Sequence, residues 1–121
     1  MPPARLHFLD PHKALEYVGD ASGVQHLLAT LARSLAQDLP QLEALLAQAD
    51  LAGVNRILHQ FKGFAPVFCT PALVERVVQV EALSKQPDQL AAVREAYAAL
   101  GPQLQALLQE VQGQLERPRE P

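Results

Sequence analysis

Apolar residues recur at every third or fourth position along almost the whole chain, and alternating runs typical of half-buried strands are missing from the sequence. In the first half leucines carry the pattern: Leu27, Leu28, Leu31, Leu35, Leu39, Leu42, Leu45 and Leu46. A second series occupies the last third: Leu90, Val93, Ala96, Tyr97, Leu100, Leu104, Leu107, Leu108, Val111 and Leu115. Because this spacing places apolar side chains on one stripe of a helix, the sequence predicts an all-α fold.

Capping residues predict the limits of the first two helices. A short helix is expected over Pro11–Val18, and either Asp20 or Ser22 is placed to cap a long helix that runs to about Ala49. Pro40 lies inside that long helix and predicts a kink or a break, since proline has no amide hydrogen to donate.

Similar signals divide the rest of the chain. Asp50 is expected to cap a third helix that ends near Phe68, and Thr70 with Pro71 is expected to begin a fourth that reaches about Gln86. Pro87 follows and marks the junction with the last helix. Four long helices with short connections predict one domain over residues 1–121: an antiparallel four-helix up-and-down bundle with a short extra N-terminal helix. Residues 1–9 and 117–121 are predicted to be flexible ends.

Composition excludes several classes of function. A net charge of −3 and a pI near 5.7, without a dense cluster of Lys and Arg, argue against nucleic acid or an anionic membrane as partner. Apolar stretches fall short of the roughly eighteen residues that cross a bilayer. The single Cys69 has no partner for an internal disulfide, and residues 1–9 have no apolar segment of signal-peptide length. We therefore expect a cytoplasmic protein. The protein is also expected to be a monomer.

A helical wheel of residues 50–68 separates two faces, since successive residues turn by about 100°. The apolar face holds six residues: Val54, Ile57, Phe61, Phe64, Ala65 and Phe68. The polar face is centred on one histidine and holds His59, Asn55, Arg56, Lys62, Gly63 and Pro66. The imidazole is therefore expected to point into solvent, where a macromolecule can reach it.

The run from His59 to Gly63 resembles the His-x-x-Lys-Gly hallmark of histidine-containing phosphotransfer (HPt) domains, which carry it on an exposed helix of a four-helix bundle. Glu81, preceded by a valine, stands where that family commonly has a Leu-Glu or similar pair on the next helix. The resemblance runs without gaps from about Asp50 to Glu81. It departs from the family at Phe64, where small residues are usual, and at Cys69, where a loop glycine is usual.

The resemblance implies a role for each residue of the motif. His59 would be the phosphoacceptor, because a neutral imidazole is a nucleophile near pH 7. Lys62, one turn further along, would offset the charge of the phosphoryl oxygens. Gly63 would leave clearance for the phosphoryl group and the partner, which explains a residue that helices disfavour by about 1 kcal/mol. Glu81 would accept a hydrogen bond from one ring nitrogen and direct the other outward.

Three further residues are predicted to dock the partner. Asn55 and Arg56 would flank the docking surface, with Arg56 facing the acidic pocket of a receiver domain, and Pro66 would belong to the same surface. Pro66 cannot donate to the carbonyl of Lys62, so the helix is predicted to be distorted about two turns beyond His59.

The predicted function is to relay a phosphoryl group between His59 and aspartates of response-regulator receiver domains in a two-component phosphorelay. A hybrid sensor histidine kinase is the other expected partner. The protein would be a phosphocarrier without kinase activity, and would need no cofactor, because the receiver supplies the aspartate and Mg²⁺. Two alternatives remain open: a phosphate-free helical-bundle adaptor that docks through the same face, and a metal- or haem-binding bundle.

Overall fold

The computed structural model describes residues 6–116, and α-helices account for most of them. The helices are α1 (Pro11–Val18), α2 (Ala21–Ala47), α3 (Leu51–Phe64), α4 (Pro71–Ser84) and α5 (Leu90–Glu116). A 3₁₀ turn, Ala65–Val67, follows α3 directly. Residues 1–5 and 117–121, which belong to the ends predicted to be flexible, lie outside the described residues. The all-α prediction is confirmed.

The four long helices form a bundle in which each contacts two others. α2 packs against α3 and α5, α4 packs against α3 and α5, and α1 lies against α2 and the turn after α3. Arg94 near the start of α5 donates from Nη2 to the carbonyl of Leu46 near the end of α2 at 2.7 Å, so these two helices run in opposite directions. In the same way Asn55 near the start of α3 bonds Ser84 at the end of α4. None of the helices in residues 6–116 combines the length and apolar content needed to cross a membrane.

The core consists mainly of the residues that the apolar spacing singles out. α2 and α5 contribute the largest rows of buried side chains: Leu28, Leu31, Leu35, Leu39 and Leu42, with Leu100, Leu104, Leu107 and Val111. From α3 the buried residues are Gly53, Val54, Ile57, Leu58 and Phe61. Burial of each large apolar side chain stabilises the fold by about 1.5–3 kcal/mol. The rotation of α3 in the bundle is therefore the one that turns these side chains into the core.

Local signals locate most helix ends. Asp20 caps α2 by accepting from the amide of Gly23 at 2.6 Å, and Asp50 caps α3 by accepting from Gly53 at 2.9 Å. These two caps are as predicted, with Asp20 rather than Ser22 at the start of α2, whereas Thr70 precedes α4 without a capping hydrogen bond from its side chain. α2 continues through Pro40, so the proline does not break the helix. Because Pro40 has no amide hydrogen, the carbonyl of Ala36 lacks its usual helical partner. Both residues are exposed, so water is available to that carbonyl.

The end of α3 differs from the prediction. The helix ends at Phe64 rather than near Phe68. The distortion predicted at Pro66 is confirmed, and it is large enough that the α-helix ends before the proline. Proline at this position cannot donate to the carbonyl of Lys62, and the chain tightens into the 3₁₀ turn. Phe68 stays fully buried through this turn, which explains why the apolar spacing alone suggested a longer helix.

Residues 7–9, which belong to the end predicted to be flexible, make specific contacts with the rest of the domain. The backbone amides of His7, Phe8 and Leu9 each donate to one oxygen, Glu110 Oε1 on α5, at 3.0 Å. Leu9 is 2% exposed and forms an isolated antiparallel bridge with Cys69. Burial raises the pKa of the Cys69 thiol to about 12, so this residue packs as a small neutral group. The segment is thus tied both to α5 and to the connection between α3 and α4.

Candidate functional site

His59 lies on the exposed side of α3, and its side chain is 65% exposed. The residues around it in the helix hold the backbone in place, because Leu58 is fully buried and Phe61 nearly so. The edge-to-face contact between the rings of Phe61 and Phe64, with centroids 5.2 Å apart, anchors the next turn. The packing of α3 therefore directs His59 outward, as predicted.

Beneath His59 lies Glu81 of α4, a carboxylate only 1% exposed. Lys62 Nζ donates to Glu81 Oε1 at 3.0 Å, and Asn55 Nδ2 donates to Oε2 at 3.0 Å. His59 Nδ1 approaches Oε2 at 3.5 Å, and Lys85 Nζ at 3.6 Å. One buried carboxylate therefore joins four side chains, three of them from α3.

The charge of Glu81 is maintained despite its burial. Burial by itself raises the pKa of a carboxyl group. Here the hydrogen bonds from Lys62 and Asn55, together with the positive charges of Lys62 and Lys85, outweigh it and lower the pKa of Glu81 below its ordinary value. At neutral pH the site therefore contains a fixed negative charge next to the imidazole.

The contact between His59 and Glu81 distinguishes the two ring nitrogens. Nδ1 faces the carboxylate, and the negative charge there favours the tautomer with the proton on Nδ1. Nε2 is then the nitrogen with the free lone pair. The distance of 3.5 Å is longer than a hydrogen bond, and contacts of this kind shorten when a reacting group binds. Glu81 thus lies where the orienting residue was predicted.

Asn55 is directed inward rather than along the docking surface where it was predicted. Besides the Glu81 carboxylate, its Nδ2 lies 3.1 Å from the Glu81 carbonyl and 3.0 Å from Ser84 Oγ. Ser84 Oγ donates its own hydrogen to the Glu81 carbonyl at 2.6 Å, so towards Asn55 it presents a lone pair. All three neighbours present lone pairs, and the two hydrogens of Nδ2 are shared among them, so the NH2 group rather than the amide oxygen faces Glu81.

Lys62 is also engaged, since its ammonium lies on Glu81 and its side chain is 28% exposed. Arg56, Gly63 and Pro66 are exposed, as the wheel predicts. At Gly63 a Cβ would have no heavy atom within 4 Å among the described residues, beyond its own helical backbone and chain neighbours. Pro66 lines a surface cleft together with Tyr17 of α1. The face around His59 is therefore open from Arg56 to Pro66.

Two residues of the site were missed by the sequence argument. Lys85 stands four positions after Glu81, a spacing that brings helical side chains together and was a usable signal. Ser84 gave no signal, because its role depends on how α4 packs against α3.

The fold and the site together define a helical bundle that presents one histidine above a buried carboxylate. The family model of the Hpt domain matches residues 26–114, and the chain belongs to this family. Searches of curated proteins and of solved structures found no match. Membership connects the protein with histidine phosphotransfer in two-component phosphorelays, where Hpt domains interact with response regulators and histidine kinases.

Proposed function

We propose that this protein is a phosphocarrier that relays a phosphoryl group between His59 and the aspartates of response-regulator receiver domains. A hybrid sensor histidine kinase is the second class of partner. The observation that supports the proposal most directly is the exposed imidazole whose Nδ1 faces the buried, charged carboxylate of Glu81 at 3.5 Å.

The transfer needs only the neutral imidazole on this side. The lone pair of His59 Nε2 attacks the phosphorus of a receiver phosphoaspartate, the N–P bond forms, and the P–O bond to the aspartate breaks, so that the electron pair leaves with its carboxylate. Nδ1 keeps its proton, so the ring becomes positively charged as the bond forms. The negative charge of Glu81 stabilises that positive charge, and the reverse reaction returns the phosphoryl group to an aspartate.

Other residues of the polar face assist the step. Lys62 lies one turn beyond His59, and its ammonium neutralises the phosphoryl oxygens when it turns outward from Glu81. Gly63 leaves space for the receiver loops, and Arg56 faces the acidic pocket of the receiver. The receiver supplies the acceptor aspartate and the divalent metal, so the protein has no kinase activity of its own and binds no cofactor.

Phosphorylation of the purified protein by an autophosphorylated histidine kinase, directly or through a receiver, tests this proposal. We expect an acid-labile, base-stable phosphoryl group in the wild type and none in His59→Gln. His26→Gln is the matched control, since His26 is also an exposed helical histidine but lies on α2. Label that persists in His59→Gln would refute the assignment. A stable complex without label for any kinase and receiver pair would support the phosphate-free adaptor instead.

A further inference from the structure

Asn55 lies one helical turn before His59 and bonds Glu81 rather than the imidazole. We propose that Asn55 is a positioning residue for phosphotransfer: it holds the Glu81 carboxylate against His59 Nδ1 and keeps it bound when Lys62 turns to the phosphoryl group. This inference rests on the proposed function, because the phosphoryl group it invokes is the one carried by His59.

The first support is the geometry of the amide. Asn55 Nδ2 reaches the Glu81 carboxylate at 3.0 Å, the Glu81 carbonyl at 3.1 Å and Ser84 Oγ at 3.0 Å. These contacts tie the side chain of Glu81 and the last turn of α4 to the same atom of α3. A carboxylate held in this way has little freedom to turn away from the ring above it.

The second support is the contrast between the donors to Glu81. Lys62 has a long, flexible stem and is partly exposed, so its ammonium is free to follow a new negative charge. Lys85 is 57% exposed and 3.6 Å away, a distance too long for a hydrogen bond. Of the two donors at 3.0 Å, Asn55 is the one that the bundle holds in place.

The phosphoryl group makes this difference important. Once His59 carries it, the phosphoryl oxygens compete with Glu81 for Lys62, and Glu81 Oε1 loses the donor that lies on it. A buried carboxylate that loses its partners is strongly destabilised. Asn55 continues to bond Oε2, and because the amide is neutral it does so without cancelling the charge that faces Nδ1.

The test compares Asn55→Ala with Gln60→Ala. Gln60 is an exposed amide on α3 with no assigned contact to Glu81. Nitrogen-15 NMR of the ring reports which nitrogen of neutral His59 carries the proton, and phosphoramidate provides phosphorylation without a protein partner. In Asn55→Ala we expect loss of the Nδ1–H preference and labelling about 10-fold slower, by analogy with the loss of a residue that orients a metal-binding histidine. Gln60→Ala should match the wild type in both.

A second measurement addresses the phosphorylated state. Urea unfolding at 25 °C is compared before and after labelling, and we expect phosphorylation to destabilise Asn55→Ala more than the wild type. The variant Asn55→Ser replaces Asn55 by a polar residue whose side chain is too short to reach Glu81. It undergoes the same unfolding measurements and replaces Asn55→Ala if the alanine variant does not fold.

The outcomes separate the two proposals. If the ring tautomer and the labelling rate of Asn55→Ala match those of Gln60→Ala, the positioning role is refuted. An equal effect of phosphorylation on the stability of wild type and variant refutes the part concerning Lys62. If the wild type takes no label from phosphoramidate or any kinase, the proposed function fails, while the tautomer measurement still decides the role of Asn55 towards Glu81.

Discussion

Gly63→Ala separates the stability of α3 from the access that a partner has to His59. Gly63 is exposed and is the second-to-last residue of α3. Leaving aside the local helix backbone and the two neighbouring residues, a Cβ added at Gly63 would have no heavy atom of residues 6–116 within 4 Å. The methyl group therefore fits the folded protein without strain. It also extends from the same face as His59, one turn away.

The magnitude follows from helix propensity. Glycine inside an exposed helix destabilises it by about 1 kcal/mol relative to alanine. In the last turn of a helix we expect this difference to be roughly 0.5–1 kcal/mol. With a urea m-value of about 1–3 kcal/mol/M, a gain of roughly 0.5–1 kcal/mol raises the unfolding midpoint by about 0.2–1 M. We expect Gly63→Ala to be more stable than the wild type by this amount.

Transfer should respond in the opposite direction. We expect Gly63→Ala to accept phosphate from phosphoramidate at the wild-type rate, and from a phosphorylated receiver about 10-fold more slowly, because about 1.4 kcal/mol of steric cost in the complex corresponds to that factor. Gly113→Ala is the matched control, since Gly113 is an exposed glycine of α5 whose added Cβ likewise meets nothing within 4 Å in residues 6–116. It should gain similar stability and transfer normally.

Two results would refute the reasoning. Normal receiver transfer by Gly63→Ala would show that the absent side chain does not serve clearance. A loss of stability in Gly63→Ala while Gly113→Ala gains would show that the space beside Gly63 is occupied.

Three other predictions concern the charges that hold the fold together. The pKa of Glu81 is lowered in the folded protein, so its charge stabilises the fold above the unfolded carboxyl pKa, and this contribution is lost as the pH falls through the folded pKa. Glu81→Gln should therefore lower the urea unfolding free energy by about 2 kcal/mol at pH 7 and by progressively less below about pH 4.3; a difference independent of pH would contradict this. Asp20→Ala should cost about 1 kcal/mol in the same assay and Ser22→Ala less than about 0.5 kcal/mol, because Asp20 bonds Gly23; equal costs would contradict the assigned cap. Glu110→Gln should accelerate amide hydrogen exchange of residues 7–9, which donate to that carboxylate, and unchanged protection would argue against this tether.

Interactions within a few residues made much of the fold predictable. The apolar spacing located the helices, Asp50 marked the start of α3, and Pro66 marked its distortion. His59 and Lys62 had to share a face because a helix advances about 100° per residue. The end of α3 was placed too late because Phe68 keeps the apolar spacing across the 3₁₀ turn.

The candidate site was only partly accessible to the same reasoning. Glu81 was found through a family resemblance, and its burial and its contact with His59 emerged from the packing of α4 against α3. Asn55 was placed on the docking surface because the wheel reports only the side of the helix. Asn55 and Glu81 are 26 positions apart in the chain, and no local signal indicates that their side chains meet.

The sequence by itself determined which segments are helical, which stripe of each is apolar, and that His59 is presented to solvent beside Lys62 and Gly63. These properties follow from backbone geometry and capping, which act over about four residues. Only the tertiary structure decided that Glu81 is a buried, charged partner of His59 and that Glu110 binds the amides of residues 7–9. Both depend on how packed helices are rotated and shifted against each other, and the whole core determines that arrangement.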